Sequence, residues 1–233
     1  MNGQELKEAR LSRDWTQEET AERLGVTQAY LSMMERGRRV VPAELARKAA
    51  ELLRAPATTL PLREGRYTAG DGKPAGSERL RRELAALGYP GFAHQRGGVR
   101  RNPAEVLLHA LDENDLESRA SEGLPWLALR YPELDWDWLV DGVKLRDRQN
   151  RLGFVVTLAV QLAARANDPS RQRKLSEYAA VLERSRLVRE DTLCHESLTA
   201  AERTWLRENR PAEARHWNLL TDMRVENLVH GTA

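Results

Sequence analysis

Residues 28–36 carry a clear chemical pattern. If they are helical, Gln28, Ala29, Ser32, Met33 and Arg36 share an outer face, while Leu31 and Met34 share an inner one. The polar start of that outer face offers hydrogen-bonding groups to a surface laid against it. RGRR at 36–39 adds a local density of positive charge suited to phosphates. A second set, Cys194-His195-Glu196, contains the types of a nucleophile, a base and an acid. Sequence neighbours on a helix point in different directions, so no catalytic set is expected there. The histidines at 94, 109, 195, 216 and 230 have no metal-ligand spacing, and there is no GxGxxG and no P-loop. The sequence therefore predicts neither a cofactor, nor a metal, nor an enzyme.

The elements that must position the outer face are legible around it. Residues 16–37, TQEETAERLGVTQAYLSMMERG, read as helix, tight turn, helix. Thr16 with Glu19 fits a capping box, in which hydroxyl and carboxylate each satisfy a backbone N–H. Thr20, Ala21 and Leu24 form the inner face of the first helix, and small Ala21 lets the second helix cross closely. Gly25 supplies the left-handed turn conformation, Val26 plugs the corner, and Thr27 caps the second helix. Two helices joined by a short glycine turn, with polar residues opening the second, describe a DNA-binding helix-turn-helix.

Residues 3–60 resemble the Cro/repressor-type, or XRE, helix-turn-helix family. The shared features are the leading LKEAR helix, the Thr-Gln opening at 16–17, the Ala-x-x-x-Gly turn, the Ser-x-x-Glu-x-Gly ending and a following Leu/Ala-rich helix. The resemblance implies a lambda-repressor-like helical bundle that docks its third helix in the major groove. By the same resemblance Gln17 would contact phosphate. Thr27, Gln28, Ala29, Ser32 and Met33 would face base edges or nearby backbone. Gln28 is the candidate for bidentate reading of adenine, while Ala29 and Met33 offer only apolar contact. Arg36, Arg38 and Arg39 would position phosphates without reading sequence. Arg10 and Glu35 fit the family's buried ion pair, a structural role.

The rest of the chain reads differently. Strand signals are nearly absent, with two Phe, no Ile and no sustained alternation, so the class is all-α. Eight of the fifteen glycines fall between Gly65 and Gly98, and residues 61–101 carry nine Lys+Arg against four Asp+Glu. This stretch predicts a basic linker with one short helix at 77–87, capped by Ser77, and much of it mobile without DNA. Its Arg63, Arg66 and Lys73 could track the phosphate backbone, or the segment could be a passive tether. The expected domains are thus a DNA-binding domain at 1–60, the linker at 61–101 and a larger helical domain for dimerisation or partner binding at 102–233. Asn102-Pro103, Asp168-Pro169 and Thr199 with Glu202 mark helix starts in that last domain. Its longest helical stretch runs over 135–166, with Gly142 and Gly153 as weak points. Trp126, Trp136 and Trp138 are read as core, and the acidic run Asp112, Glu113, Asp115, Glu117 as solvated or as a seat for a basic protein.

No apolar run is long enough to span a bilayer, and the opening MNGQELKEAR has no secretory pattern, so a cytoplasmic address is expected. The single cysteine excludes an internal disulfide. The sequence predicts a sequence-specific regulator that binds double-stranded DNA as a homodimeric repressor. The alternative is an antitoxin that neutralises a toxin through its C-terminal domain and represses its own operon.

Overall fold

The computed structural model describes residues 1–62, 76–96 and 98–230. The chain forms two compact units, Met1–Gly65 and Arg66–Ala233. No helix among the described residues is long and apolar enough to cross a membrane.

The first unit contains α1 (Gly3–Leu11), α2 (Gln17–Leu24), α3 (Gln28–Glu35) and α4 (Ala43–Leu52), followed by a 3₁₀ turn at Ala57–Thr59. Asn2 and Glu5 form a reciprocal capping box that starts α1. At α2 the Thr16 hydroxyl accepts from the Glu19 N–H at 3.1 Å, but the Glu19 carboxylate turns to Arg23 at 2.9 Å instead of closing the expected box. Leu6, Ala21, Leu24, Leu31, Met34, Val41, Ala46, Ala49 and Leu53 form one core beneath these helices. Burying them supplies most of the stability that short helices lack by themselves.

The second unit is also helical: α5 (Gly76–Ala86), α6 (Pro103–Asp112), α7 (Ser118–Ser121), α8 (Gly123–Arg130), α9 (Trp136–Lys144), α10 (Gln149–Arg165), α11 (Pro169–Glu183), α12 (Ala200–Asn209) and α13 (Ala212–His216). Two short strands, β1 (Asp191–Thr192) and β2 (Leu219–Leu220), pair in parallel. At the centre α10 buries Leu152, Phe154, Val155, Val156, Leu158 and Leu162, packing between α8 and α11. The expected long helix is broken between α9 and α10, where Asp147 takes a left-handed φ of 55°. Neither glycine causes the break. A Cβ on Gly142 would lie 2.8 Å from Leu108, and one on Gly153 would collide with the Trp217 ring, so both are places of close approach. Trp126 and Trp136 are core, as expected, and Trp136 stacks on Tyr178 at 4.3 Å, whereas Trp138 is only half-buried.

The linker is redrawn. Residues 76–92 are packed into the second unit: Leu80, Leu84 and Leu87 line one face of α5 and its end, and Tyr89 and Phe92 are buried after it, whereas 93, 94, 96, 99 and 100 are exposed. Tyr89 meets Trp126 at a ring separation of 5.1 Å, and the Tyr131 hydroxyl donates to the Leu87 carbonyl at 2.8 Å. That apolar burial offsets the ordering cost that the glycines suggested would prevail. Ser77 lies inside the first turn of α5, not at its cap, and accepts from the Glu117 N–H. Arg63, Arg66 and Lys73 lie outside the described residues.

The charge asymmetry of the sequence has an internal explanation. Arg79 pairs with Glu113 at 2.6 Å, Arg81 with Glu117 at 2.9 Å, and Asp112 lies 3.5 Å from Arg146. Asp115 accepts from the Ser197 N–H at 3.0 Å. The acidic run is thus met by this chain's own basic groups and backbone, while Asp115 and Glu117 stay exposed, Glu117 just before α7, in keeping with its reading as a solvated stretch or helix start.

Arg101 lies between the buried carboxylates of Glu83 and Glu105, 3.1 Å from each. One cation serving two anions leaves a surplus negative charge. Burial pushes the Glu83 carboxyl up to about 7, Arg79 opposes, and Glu105 and Glu113 add to the rise. Because the folded value lies above the unfolded one, this contribution is complete below about pH 4.3 and is lost as pH rises through 7. Urea midpoints should therefore show Glu83→Gln gaining about 2–3 kcal/mol on wild type between pH 5 and 8. A difference that stays constant with pH would count against this account.

Candidate nucleic-acid interface

The turn between α2 and α3 is built as its residues require. Gly25 ends α2 in the left-handed region at φ 73°, and Val26 N–H returns to the Ala21 carbonyl at 2.9 Å. The Thr27 hydroxyl accepts from the Tyr30 N–H at 3.2 Å and so caps α3. Leu31 and Met34 are buried against α1 and α2, which leaves the opposite side of α3 to solvent.

A polar relay runs from the core to the open end of α3. Arg10 and Glu35 are 7% and 6% exposed. Arg10 Nε donates to Glu35 Oε1 at 2.7 Å and Arg10 Nη2 to Oε2 at 3.0 Å, while Nη1 donates to the Trp15 carbonyl at 2.8 Å. Gln17 Nε2 donates to the same Glu35 Oε2 at 2.8 Å, and Gln28 Nε2 reaches Gln17 Oε1 at 3.5 Å. Burial raises the Glu35 pKa, but the bonds from Arg10 and Gln17 together outweigh it and hold the carboxyl below its usual range. The bond to Glu35 raises the Arg10 guanidinium's pKa against its own burial. A charged, buried, bidentate pair thus fixes the angle of α3 to α1, and it anchors Gln17, whose amide oxygen lies 3.5 Å from the exposed Gln28 amide.

The outer face is as follows. Thr27, Gln28 and Ala29 are exposed at the start of α3, and Met33 is half-buried one turn on. Gln17 is half-buried at the first position of α2, where the free N–H groups and helix dipole favour an anion. Arg36 ends α3, Gly37 turns at φ 71°, and Arg38 and Arg39 follow, with all three arginines exposed. The ion pairs of this unit's described residues use Arg10, Arg23, Arg47 and the N-terminus, and leave those three arginines out. Ser32 departs from the expectation. It is 8% exposed, because α3 is short and clamped by both α1 and α2, so its buried arc extends from Leu31 through Ser32 to Glu35. Its hydroxyl is withdrawn from the face on which the sequence pattern set it. The bond from Gln17 to Glu35 is absent from the sequence reading, which gives the two residues separate roles.

In the second unit Cys194 is fully buried, its thiol donates to the Ala110 carbonyl at 3.3 Å, and burial pushes it up to about 11. His195 and Glu196 are exposed beside it. A thiol held so far toward the protonated form is a poor nucleophile. Among the described residues no group of three His, Cys, Asp or Glu side chains is placed to hold a metal.

Residues 6–60 match the family model described as helix-turn-helix. No curated protein and no solved structure matches the chain.

Proposed function

We propose that this DNA-binding transcriptional regulator, whose residues 3–60 are a Cro/repressor-type (XRE) helix-turn-helix domain, is a dimeric repressor that reads an inverted repeat with α3 in the major groove. The observation that carries the reading is the relay from Arg10 through Glu35 and Gln17 to Gln28. It places one amide, within 3.5 Å of the anchored Gln17, at the exposed start of a capped helix. An amide placed there can answer adenine bidentately, its oxygen accepting from N6 and its nitrogen donating to N7. Arg36, Arg38 and Arg39 are exposed and can neutralise phosphates on either side. One unit of this size touches too few base pairs for strong specificity, which favours two copies on paired half-sites.

Selection of binding sites from random duplexes by the full chain tests this. The expected yield is an inverted repeat with half-site centres about 34 Å apart or a multiple of that. On the selected site Gln28→Ala should lose about 1–3 kcal/mol and relax preference at one base position. Arg38→Ala should weaken all sequences alike and reduce the salt slope by about one. Wild-type affinity in Gln28→Ala would remove α3 from the reading head, and enrichment of single half-sites would remove the dimer.

A further inference from the structure

The second unit contains a cavity of about 440 Å³. Its walls come from Leu116, from α7 and Glu122 just after it, from residues 193–198, from α12, and from residues 220–227. The volume falls within the range of small-molecule sites, about 300–1,000 Å³. Leu116, Leu206, Leu220 and Met223 make part of the wall apolar. Trp205 stands at the rim, 53% exposed, an unusual amount of aromatic surface to leave in water.

The polar lining leans to one sign. Glu122, Glu202 and Asp222 all face the cavity, neither Lys nor Arg lines it, and His195 is its one basic side chain. The ion pairs among the described residues of this unit engage none of the three carboxylates, although arginines pair with acids throughout the rest of it. Bonds from the Thr199 hydroxyl and N–H hold the Glu202 carboxyl below its usual range, which keeps it anionic. A cavity that is part apolar, with carboxylates outside the ion pairs of the described residues and an open indole, is complementary to a cation that carries hydrocarbon. An anion would be repelled, and a neutral apolar ligand would leave the carboxylates without an answering charge.

We infer that this cavity binds an organic amine, its ammonium group received by Glu122, Glu202 and Asp222 and its hydrocarbon by the leucines and Trp205. The inference concerns the second unit alone and stands apart from how the first unit reads DNA. Two sources share this chemistry, an aromatic monoamine and an aliphatic polyamine.

Calorimetric titration of the full chain at physiological salt decides it, with phenethylamine and spermidine as probes and phenethyl alcohol and phenylacetate as neutral and anionic counterparts. At least one amine should bind at one site per chain with a Kd of about 1 mM or tighter. The alcohol should bind at least about tenfold more weakly, and phenylacetate not at all. The tighter amine identifies the source. Glu122→Gln combined with Asp222→Asn should weaken that amine at least about tenfold. Trp205→Leu, an exposed substitution that leaves the core intact, should weaken it as well. The inference fails if neither amine binds at about 10 mM, if the alcohol matches the amine, or if Trp205→Leu and the carboxylate variant both bind as wild type does.

Discussion

Glu35→Ala is expected to unfold the first unit, and so to abolish DNA binding without removing any contact to DNA. Removing one partner of a buried ion pair strands the other, at a cost of about 3–5 kcal/mol. A unit of this size has a total stability of only about 3–9 kcal/mol. Arg10 would be left in the core with the Trp15 carbonyl as its remaining partner, and Gln17 would lose its anchor. Hydrogen exchange of the full chain, read by mass spectrometry, should show protection lost over residues 3–60 and kept over 76–230. Arg10→Met combined with Glu35→Leu should regain most of that protection, because an apolar pair leaves no stranded charge. Acid should act similarly on the wild type. The folded Glu35 value lies below the unfolded one, so its contribution is present above about pH 4.3 and is lost as pH falls through the folded value. Full protection in Glu35→Ala would mean that the pair does not hold α3.

Arg151→Met is expected to cost the second unit about 3–5 kcal/mol, for the same reason on a larger scale. Arg151 is 0% exposed and has every donor engaged. Its Nε and Nη2 donate to the two Asp191 oxygens at 2.9 and 3.0 Å, its Nη1 to the Leu111 and Glu113 carbonyls at 3.0 and 2.9 Å, and its Nη2 also to Glu196 at 3.2 Å. It thereby ties the 191–196 segment to the end of α6 and to α10. With Met in its place Asp191 would keep Arg148, at 3.5 Å, as its remaining cation, and two carbonyls would lose this donor. A unit of this length should melt about 10 °C lower. Wild-type melting would show that packing of the segment, not its polar anchor, holds it in place.

Much of the first unit could be read from the sequence because its signals are local. Thr27, Gly25 and the spacing of Ala21, Leu24, Leu31 and Met34 each act within a few residues, and the structure uses each as its type suggests. Ser32 escaped because burial of a small residue on a short helix depends on which neighbours clamp it, not on its own period. The second unit was harder. Asn102, Asp168 and Thr199 start their helices as read, since capping is also local. Its organising contacts are not. Arg151 reaches Asp191 across 40 positions, and Trp217 rests on Gly153 across a longer span. A lone arginine in an apolar run and a glycine in a helix look like defects until their distant partners are known. The same holds for α5, whose glycine-rich surroundings hid that its leucines and the aromatics after it had a core to enter.

The sealed position of Cys194 turns the second unit into its own clock. The chain has one cysteine, so a maleimide or a disulfide reagent has a single place to react. That place is closed to solvent and its proton is held tightly, so modification must wait for residues 191–196 to lift away from α6 and α10. Alkylation rate then measures how often this segment opens, with no residue substituted and no tryptophan signals to disentangle. Where reclosing outpaces the chemistry, the rate follows the opening equilibrium, and any compound that braces the segment will slow the reaction in proportion to its occupancy.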